Sequence, residues 1–534
     1  MAKRFAGIFF ITLGVAIACV ATFVVVLFLA PGFSVFGLKY IAKGTHVVNE
    51  TCMIAEKMEG GSFSGSIRVE VEDVPVQVVF SQGFSYQVEY YDNFNGLTNS
   101  KFDDPSIAFS KDADGTAVIK ITSFKKFIYE NGNSNRFVKI LIPSSGVGAT
   151  NAGKTDLKIV SKTSPVSFSD EINDYYDPLF NKIEIETYGK VTSSTRVYAN
   201  TYSLKTINAI NIHESETEVI NATNYILDST GGKIVVSRPV SGDITATTKN
   251  ARIQVLSCRN LTASSGYGDI YSSSSDAGIV VNGAAKITTT AGVVDIDSIL
   301  GGSEKSVITT KTGNVTIKKA MDVDLTTSRG FVKLNSVRKA SITTTSGSIT
   351  VNEVTEKINA VSKRGKINLG AEASVLYNPT VESTYGGVNI YSSSGTVKVT
   401  TIDADVNFTN TDSSNIQLNV GGNLTANKLT GSVDVEVSGN ASVDFVSFTH
   451  KSNIVGKGDN SSITVQLLNN NNSSFSYSLQ GNDASLFEYN TEDVQNHVQI
   501  GKAQHLVSAA DMVGKPLLSV SSKGRVMVYY KRSV

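Results

Sequence analysis

Residues 342–351 read ITTTSGSITV, and the same phrase returns with small changes down the middle of the chain. Residues 287–296 are ITTTAGVVDI, 308–317 ITTKTGNVTI, 325–334 LTTSRGFVKL, 360–369 AVSKRGKINL and 381–390 VESTYGGVNI. Each phrase opens on an apolar residue or Ala and reaches a glycine five residues later. Apolar residues then stand two and four places beyond the glycine. The glycines are Gly292, Gly313, Gly330, Gly347, Gly365 and Gly386, spaced by 17 to 21 residues. Self-similarity at a short, nearly fixed period marks a unit that cannot bury its own apolar face and must stack on copies of itself.

After each glycine the pattern is strict alternation. Val294 and Ile296, Val315 and Ile317, Val332 and Leu334, Ile349 and Val351, Ile367 and Leu369, and Val388 and Ile390 each share one face of a strand. The residues between them, such as Asp295, Thr316, Lys333 and Thr350, face outward. Thr, Val and Ile suit a half-buried pleated surface. The glycine is expected to supply a corner, through a positive φ or a tight turn. A period of 17 to 21 residues is too short for helical crossovers and right for two or three strands per coil. The fold expected is all-β, a parallel β-solenoid (β-helix). An antiparallel sandwich does not readily generate six such phrases in a row. Weaker copies extend the array: Gly242 with Ile244, Gly268 with Ile270, Gly395 with Val397 and Val399, Gly431 with Val433 and Val435, and Gly524 with Val526 and Val528.

The chain has 534 residues, with 48 basic against 48 acidic side chains. That balance provides no basic footprint for nucleic acid, which is not expected as a partner. There is no Trp to stack on sugars, although 20 Tyr and 24 Phe are present. The three cysteines, Cys19, Cys52 and Cys258, have neither a disulfide framework nor a metal-binding spacing. Cys19 lies in the apolar N-terminal run, and Cys52 and Cys258 read as two incidental thiols, with a bridge between them the alternative.

Residues 5–30 carry no charge and no proline. As a helix they extend about 39 Å, beyond the roughly 30 Å hydrocarbon core of a bilayer. The run is longer than the apolar core of a cleaved signal peptide and ends Leu-Phe-Leu-Ala-Pro. It is expected to be an uncleaved, single-pass signal anchor. Lys3 and Arg4 place the N-terminus in the cytoplasm. The expected organisation is a cytoplasmic N-terminus at 1–4, a transmembrane anchor at 5–30 and a juxtamembrane stalk at 31–60. An N-terminal β-region follows at 61–145, then solenoid repeats at 146–445 and an irregular C-terminal region with a terminal strand or cap at 446–534. Within the last, residues 503–513 are expected to form a short helix, and NNNNSS at 469–474 a loop.

One N-terminal anchor, a β-region closing on Ile140-Leu-Ile-Pro143, and Thr-Thr-x-x-Gly-x-Ile-x-Val repeats, with TTSGSITV at 344–351 the clearest, follow one another in this order. In this the chain resembles the bacterial "putative adhesin" solenoid family, a group of unknown function in cell-envelope proteins. The resemblance covers residues 67–437. It implies an extracytoplasmic β-helical domain and carries no catalytic residues to transfer.

Several motifs have the residue types of a site. Gly148-Ala-Thr-Asn-Ala-Gly153-Lys154-Thr155 matches the spacing of a phosphate-binding loop, but Leu157, Ile159 and Val160 read as a strand where a helix is needed. It reads as a polar loop. The carboxylate pairs Asp295/Asp297, Asp322/Asp324 and Asp403/Asp405 offer calcium binding or acid/base chemistry on a glycan, yet Asp295 and Asp297 fall on an outward face. His46, His213, His450, His497 and His505 have no ligand spacing. The sequon Asn314-Val-Thr316 lies inside a repeat. No catalytic, cofactor-binding or metal residue is assigned, and no cofactor is implied. The expectation is a non-enzymatic membrane protein with the bulk of the chain outside the cytoplasm. It would act as a structural or adhesin-like binding module toward an envelope polysaccharide or surface protein. The alternative is an envelope glycan lyase or hydrolase using carboxylates on one solenoid face.

Overall fold

The computed structural model describes residues 2–29, 34–35, 38–39 and 41–52. From 66 to 532 it describes all but 73, 82–85, 98–106, 114–115, 122–128, 131–134, 144–153, 171–178, 214–219, 275–277, 302–303, 372–375, 410–411, 472, 490–494 and 509–513. The chain forms two compact units, Met1–Gly232 and Lys233–Val534.

The second unit is the parallel β-solenoid that the repeats predict. The residue two beyond each glycine pairs with its equivalent in the next coil, from Val294 through Val315, Val332, Ile349 and Ile367 to Val388. None of these six is more than 1% exposed. Burying each is worth about 1.5–3 kcal/mol relative to leaving it in water. The column continues backward through Ile270, Ile253 and Ile234, and forward through Val406, Leu424, Ala441, Ile463 and Val526. A second column, from the residue that opens each phrase, joins Ile287, Ile308, Leu325, Ile342, Ala360, Val381 and Val399. The two columns are the inner faces on either side of the glycine corner.

The expected role of the glycine needs correcting. Among the described glycines only Gly370, Gly395 and Gly514 have positive φ; Gly395 belongs to a weaker copy, and none of the six glycines of the main phrases is among them. The corner glycines are required by close approach instead. A Cβ on Gly313 would stand 1.9 Å from the carbonyl oxygen of Gly292, and one on Gly330 1.8 Å from that of Gly313. The same contact recurs at Gly347, Gly365 and Gly386, each against the glycine of the preceding coil.

Two of the weaker copies, Gly268 and Gly524, lead into the first column. The other three do not. Ala246, two residues after Ile244, belongs to the second column, as do Val399 and Val435, so Gly242, Gly395 and Gly431 precede the other strand of the coil. At some corner positions the glycine is replaced, by Ala251 before Ile253 and Ala404 before Val406. A spacing argument cannot see this, because both strands of a coil alternate alike.

The first unit shows the same coil without the glycine phrase. Ile67, Leu157 and Ile183 stand in one parallel register, as do Val69, Ile159 and Ile185. Tyr202 and Tyr225 continue the first of these columns, and Leu204 and Leu227 the second. The coil strands thus begin at Ile67–Val71. Residues 41–52, expected within the stalk, form the strand Ile41–Cys52, antiparallel along its length to Tyr86–Leu97. Gly44 and the adjacent Val47-Val48 break the alternation, and the pairing partner is remote in sequence, so local pattern gave no sign of it. The N-terminal helix runs from Ala2 to Leu29. Its described large apolar side chains, from Phe9 to Phe23, are 44–70% exposed. Among the described residues no helix is long and apolar enough to cross a membrane.

Coiling also continues past residue 445. Ser452–Gly456 and Ile463–Leu467 stack on the preceding coil, and Leu517–Ser522 and Arg525–Lys531 stack on them. The long strand Ser476–Tyr489 covers both of these last strands in parallel. His497–Val507 pairs with it antiparallel, which ends the parallel ladder. The short helix expected at 503–513 is therefore a strand as far as Val507, and 509–513 lie outside the described residues. Propensity yields here to pairing with a neighbouring strand.

Gly386 and Gly387 provide a paired test. A Cβ at Gly386 meets the Gly365 carbonyl at 2.0 Å, whereas at Gly387 the nearest atom is 3.8 Å away. Gly386→Ala is expected to lower unfolding free energy by about 2 kcal/mol or more, and Gly387→Ala to change it by less than about 1 kcal/mol. Denaturant unfolding of the two variants measures this.

Candidate functional site

The glycine corner is the most strongly conditioned part of the coil. Three residues before each glycine stands a buried Thr or Ser, at most 4% exposed from Ser265 through Thr289, Thr310, Thr327, Thr344 and Ser362 to Ser383. Its hydroxyl accepts the glycine N–H: Gly268 to Ser265 at 2.9 Å, Gly292 to Thr289 at 3.0 Å, Gly313 to Thr310 at 2.9 Å, Gly330 to Thr327 at 3.2 Å and Gly347 to Thr344 at 2.8 Å. The Thr344 hydroxyl also donates to the Gly347 carbonyl at 3.1 Å. Two positions differ: the Ser383 hydroxyl donates to the Gly386 carbonyl, and the Ser362 hydroxyl is buried without a partner. The signal was present in the phrase: alternation makes its third residue inward, and that residue is Thr or Ser every time.

One place beyond the corner, an Asx side chain caps the next coil. Asp269 accepts the Val293 N–H at 2.7 Å, Asn314 that of Phe331 at 3.0 Å, Asp405 that of Asn423 at 2.7 Å and Asn423 that of Asn440 at 2.9 Å. The sequon residue Asn314 is thus committed to its neighbour, as is Asp405. On the outward strand positions, Asn389 donates to Asn368 at 2.7 Å and Asn407 to Asn389 at 3.0 Å. Thr288, Thr309, Thr326 and Thr343 form an exposed row in register across the other sheet.

The carboxylate pairs occupy different parts of the coil. Asp295 and Asp297 lie on Val294–Ile299, Asp322 and Asp324 on Val315–Thr327, and Asp403 and Asp405 at a corner. Asp297 binds Lys318 at 2.8 Å and Asp324 binds Lys305 at 2.6 Å. Among the described residues no group of three or more His, Cys, Asp or Glu could hold a metal ion. Residues 148–153 of the phosphate-loop match lie outside the described residues, and the strand Asp156–Ser161 follows them directly. A cleft of about 630 Å³ in the first unit, bordered by Tyr202, Leu204, Ile210, Ile212 and His213, is lined by no carboxylate among the described residues.

What distinguishes one stretch of the corner is charge. Lys311, Arg329, Lys333, Lys363, Arg364 and Lys366 are exposed on three of four stacked turns. Backbone hydrogen bonds stack these turns on one another: Arg329 N–H to Lys311 O at 3.1 Å, Ser346 to Ser328 at 2.7 Å and Arg364 to Thr345 at 2.9 Å. Sequence reading missed this patch, because its cations are spread over 56 residues and converge only when the coils stack.

No family model matches the chain, and no curated protein matches it. Among solved structures it is similar to a protein described as a putative cell adhesion protein from Clostridium sporogenes ATCC 15579. The two are 10% identical, with a TM-score of 0.22, over 39% of this chain and 100% of that one. A likeness at that score carries no argument. What the coordinates define is a parallel β-solenoid.

Cys258 is a free, buried thiol, pushed up to about 12 by burial and, secondarily, by the Asp243 carboxylate. It is expected to resist a maleimide at pH 7–8 in the folded protein and to react on denaturation, followed by mass spectrometry. Thr344→Val keeps the shape but strands the Gly347 N–H. It is expected to cost about 1–3 kcal/mol of unfolding free energy, while Thr344→Ser keeps the hydroxyl and costs less.

Proposed function

We propose that this chain is a membrane-anchored, extracytoplasmic β-solenoid that acts as a non-enzymatic binding module at the cell envelope, as its resemblance to the "putative adhesin" solenoids implies. Residues 5–30 would be the anchor. Their uncharged length, the Lys3-Arg4 pair before them and the exposure of the described apolar side chains from Phe9 to Phe23 support that reading. The N-terminus would lie in the cytoplasm and the coils outside it. The partner would be an envelope polysaccharide or a surface protein.

One observation carries the binding role: the coils hold outward side chains in register, so that one chemical group recurs at each step of about 4.8 Å. The exposed threonine row is the regular case, with the Asn368–Asn389–Asn407 ladder, in which Asn389 is itself buried, holding the other sheet in register. A rigid periodic surface meets a repeating partner at low ordering cost. One carboxylate of each candidate pair is held to other work, Asp297 and Asp324 by lysines and Asp405 by the next coil.

The test uses the full chain. After expression in a bacterial host it is expected to stay with membranes through alkaline carbonate washing, and a chain lacking residues 1–30 to leave them. Incubated with isolated envelopes, it is expected to sediment with them and release no soluble sugar. Carbonate release of the full chain would refute the anchor, and sugar release would refute the non-enzymatic reading.

A further inference from the structure

We infer that the corner carrying Lys311, Arg329, Lys333, Lys363, Arg364 and Lys366 binds a linear, carboxylate-bearing polysaccharide, an inference that rests on the binding-module reading and names its ligand class. The chain as a whole is neutral, with 48 cations and 48 anions. Elsewhere basic side chains on the coils commonly meet an acid. Lys158 and Lys182 share Glu184, Arg338 and Lys339 share Glu356, Lys205 meets Glu186, and Arg259 meets Asp243. The effect is visible in titration, since hydrogen bonds from Lys158 and Lys182 hold the Glu184 carboxyl below its usual range.

The corner departs from this. Across the four turns 311–314, 328–333, 345–350 and 363–368 there are six cations and no Asp or Glu. None of the six forms an ion pair among the described residues, and all six are exposed. Four stacked strands span roughly 14 Å, so like charges stand close together with nothing to offset them. That arrangement costs stability and raises the local concentration of a polyanion. Thr345 and Ser346, on the turn between the two basic clusters, are also exposed and offer hydroxyl donors there.

Exposed rings select a glycan over a bare polyanion or a membrane. Phe331, between Arg329 and Lys333, is 43% exposed, and Tyr385, one turn beyond Arg364, is 55% exposed. An aromatic face packs on the apolar face of a sugar ring while the neighbouring cations meet its carboxylates. The turns form a convex edge stacked in register, which suits a chain lying along the coils. The patch has limits: Asp295 lies on the coil before it, and Asp403 and Asp405 lie beyond Tyr385.

The experiment measures binding of the purified full chain, in detergent, to immobilised polygalacturonate, dextran and polyphosphate, and to phosphatidylglycerol vesicles. A variant carrying Lys311→Gln, Arg329→Gln, Lys333→Gln, Lys363→Gln, Arg364→Gln and Lys366→Gln is compared with a control neutralising Lys120, Lys205, Lys286, Lys398, Lys457 and Lys523. The expected result is salt-sensitive binding to polygalacturonate and none to dextran. The corner variant should bind at least about tenfold more weakly, and the control within about twofold of the parent. Phe331→Ser with Tyr385→Ser should weaken polygalacturonate binding without abolishing it. Far-UV circular dichroism checks each fold, and Arg329→Gln with Arg364→Gln replaces the six-site variant if that variant misfolds. Equal loss in corner variant and control, absence of polygalacturonate binding, or stronger binding to polyphosphate or vesicles overturns the inference. Envelope retention that survives such a result leaves the binding-module reading standing.

Discussion

The structure depends on how closely two coils can approach at one corner. Strands in a parallel ladder sit a fixed distance apart, about 4.8 Å. Where the chain also turns, the carbonyl of one coil occupies the space that a Cβ on the next would need. The 1.8–2.0 Å separations from Gly292 to Gly386 express that limit. Glycine meets it by having no Cβ. At five corners the hydroxyl three residues earlier accepts the glycine amide, and Asp269, Asn314, Asp405 and Asn423 accept an amide of the next coil, as unmet buried donors would be costly. The apolar columns follow from this, because a corner held in register holds every residue after it in register.

An interior organised in this way leaves little room for chemistry inside. Most inward positions are Val, Ile, Leu and Ala, with Tyr202, Tyr225, Phe408 and Phe445 among the larger exceptions and Thr or Ser at the corner. Distinctive chemistry is confined to outward positions, where stacking repeats it. Three outcomes are seen along the coil: paired charges, as at Asp297 and Lys318; polar ladders, as at Asn368, Asn389 and Asn407; and, on the corner turns alone, like charge at Lys311, Arg329, Lys333, Lys363, Arg364 and Lys366 without an ion pair among the described residues. The first two serve the fold. The third works against it electrostatically, which is why it bears the functional argument.

The fold was readable where local pattern and final register coincide. The alternation after Gly330 and Gly347 needs no distant information, and their strands face as expected. The reading failed where two different sheets carry the same pattern. Val397 and Val399 after Gly395 alternate as well as Val388 and Ile390 after Gly386, yet they line the other side of the coil. It also failed where the partner is remote, as for Ile41–Cys52 against Tyr86–Leu97, and at the end of the array, where His497–Val507 is held as a strand by Ser476–Tyr489.

By itself the sequence determined the period, the strand faces and the need for glycine at the turn, because these are properties of one coil and its nearest contacts. Only the tertiary structure decided why the glycine is needed, which phrases share a column and which charges meet. Those depend on what the neighbouring coil places within a few ångströms, and residues 17 to 21 apart in sequence become adjacent only when the coils stack.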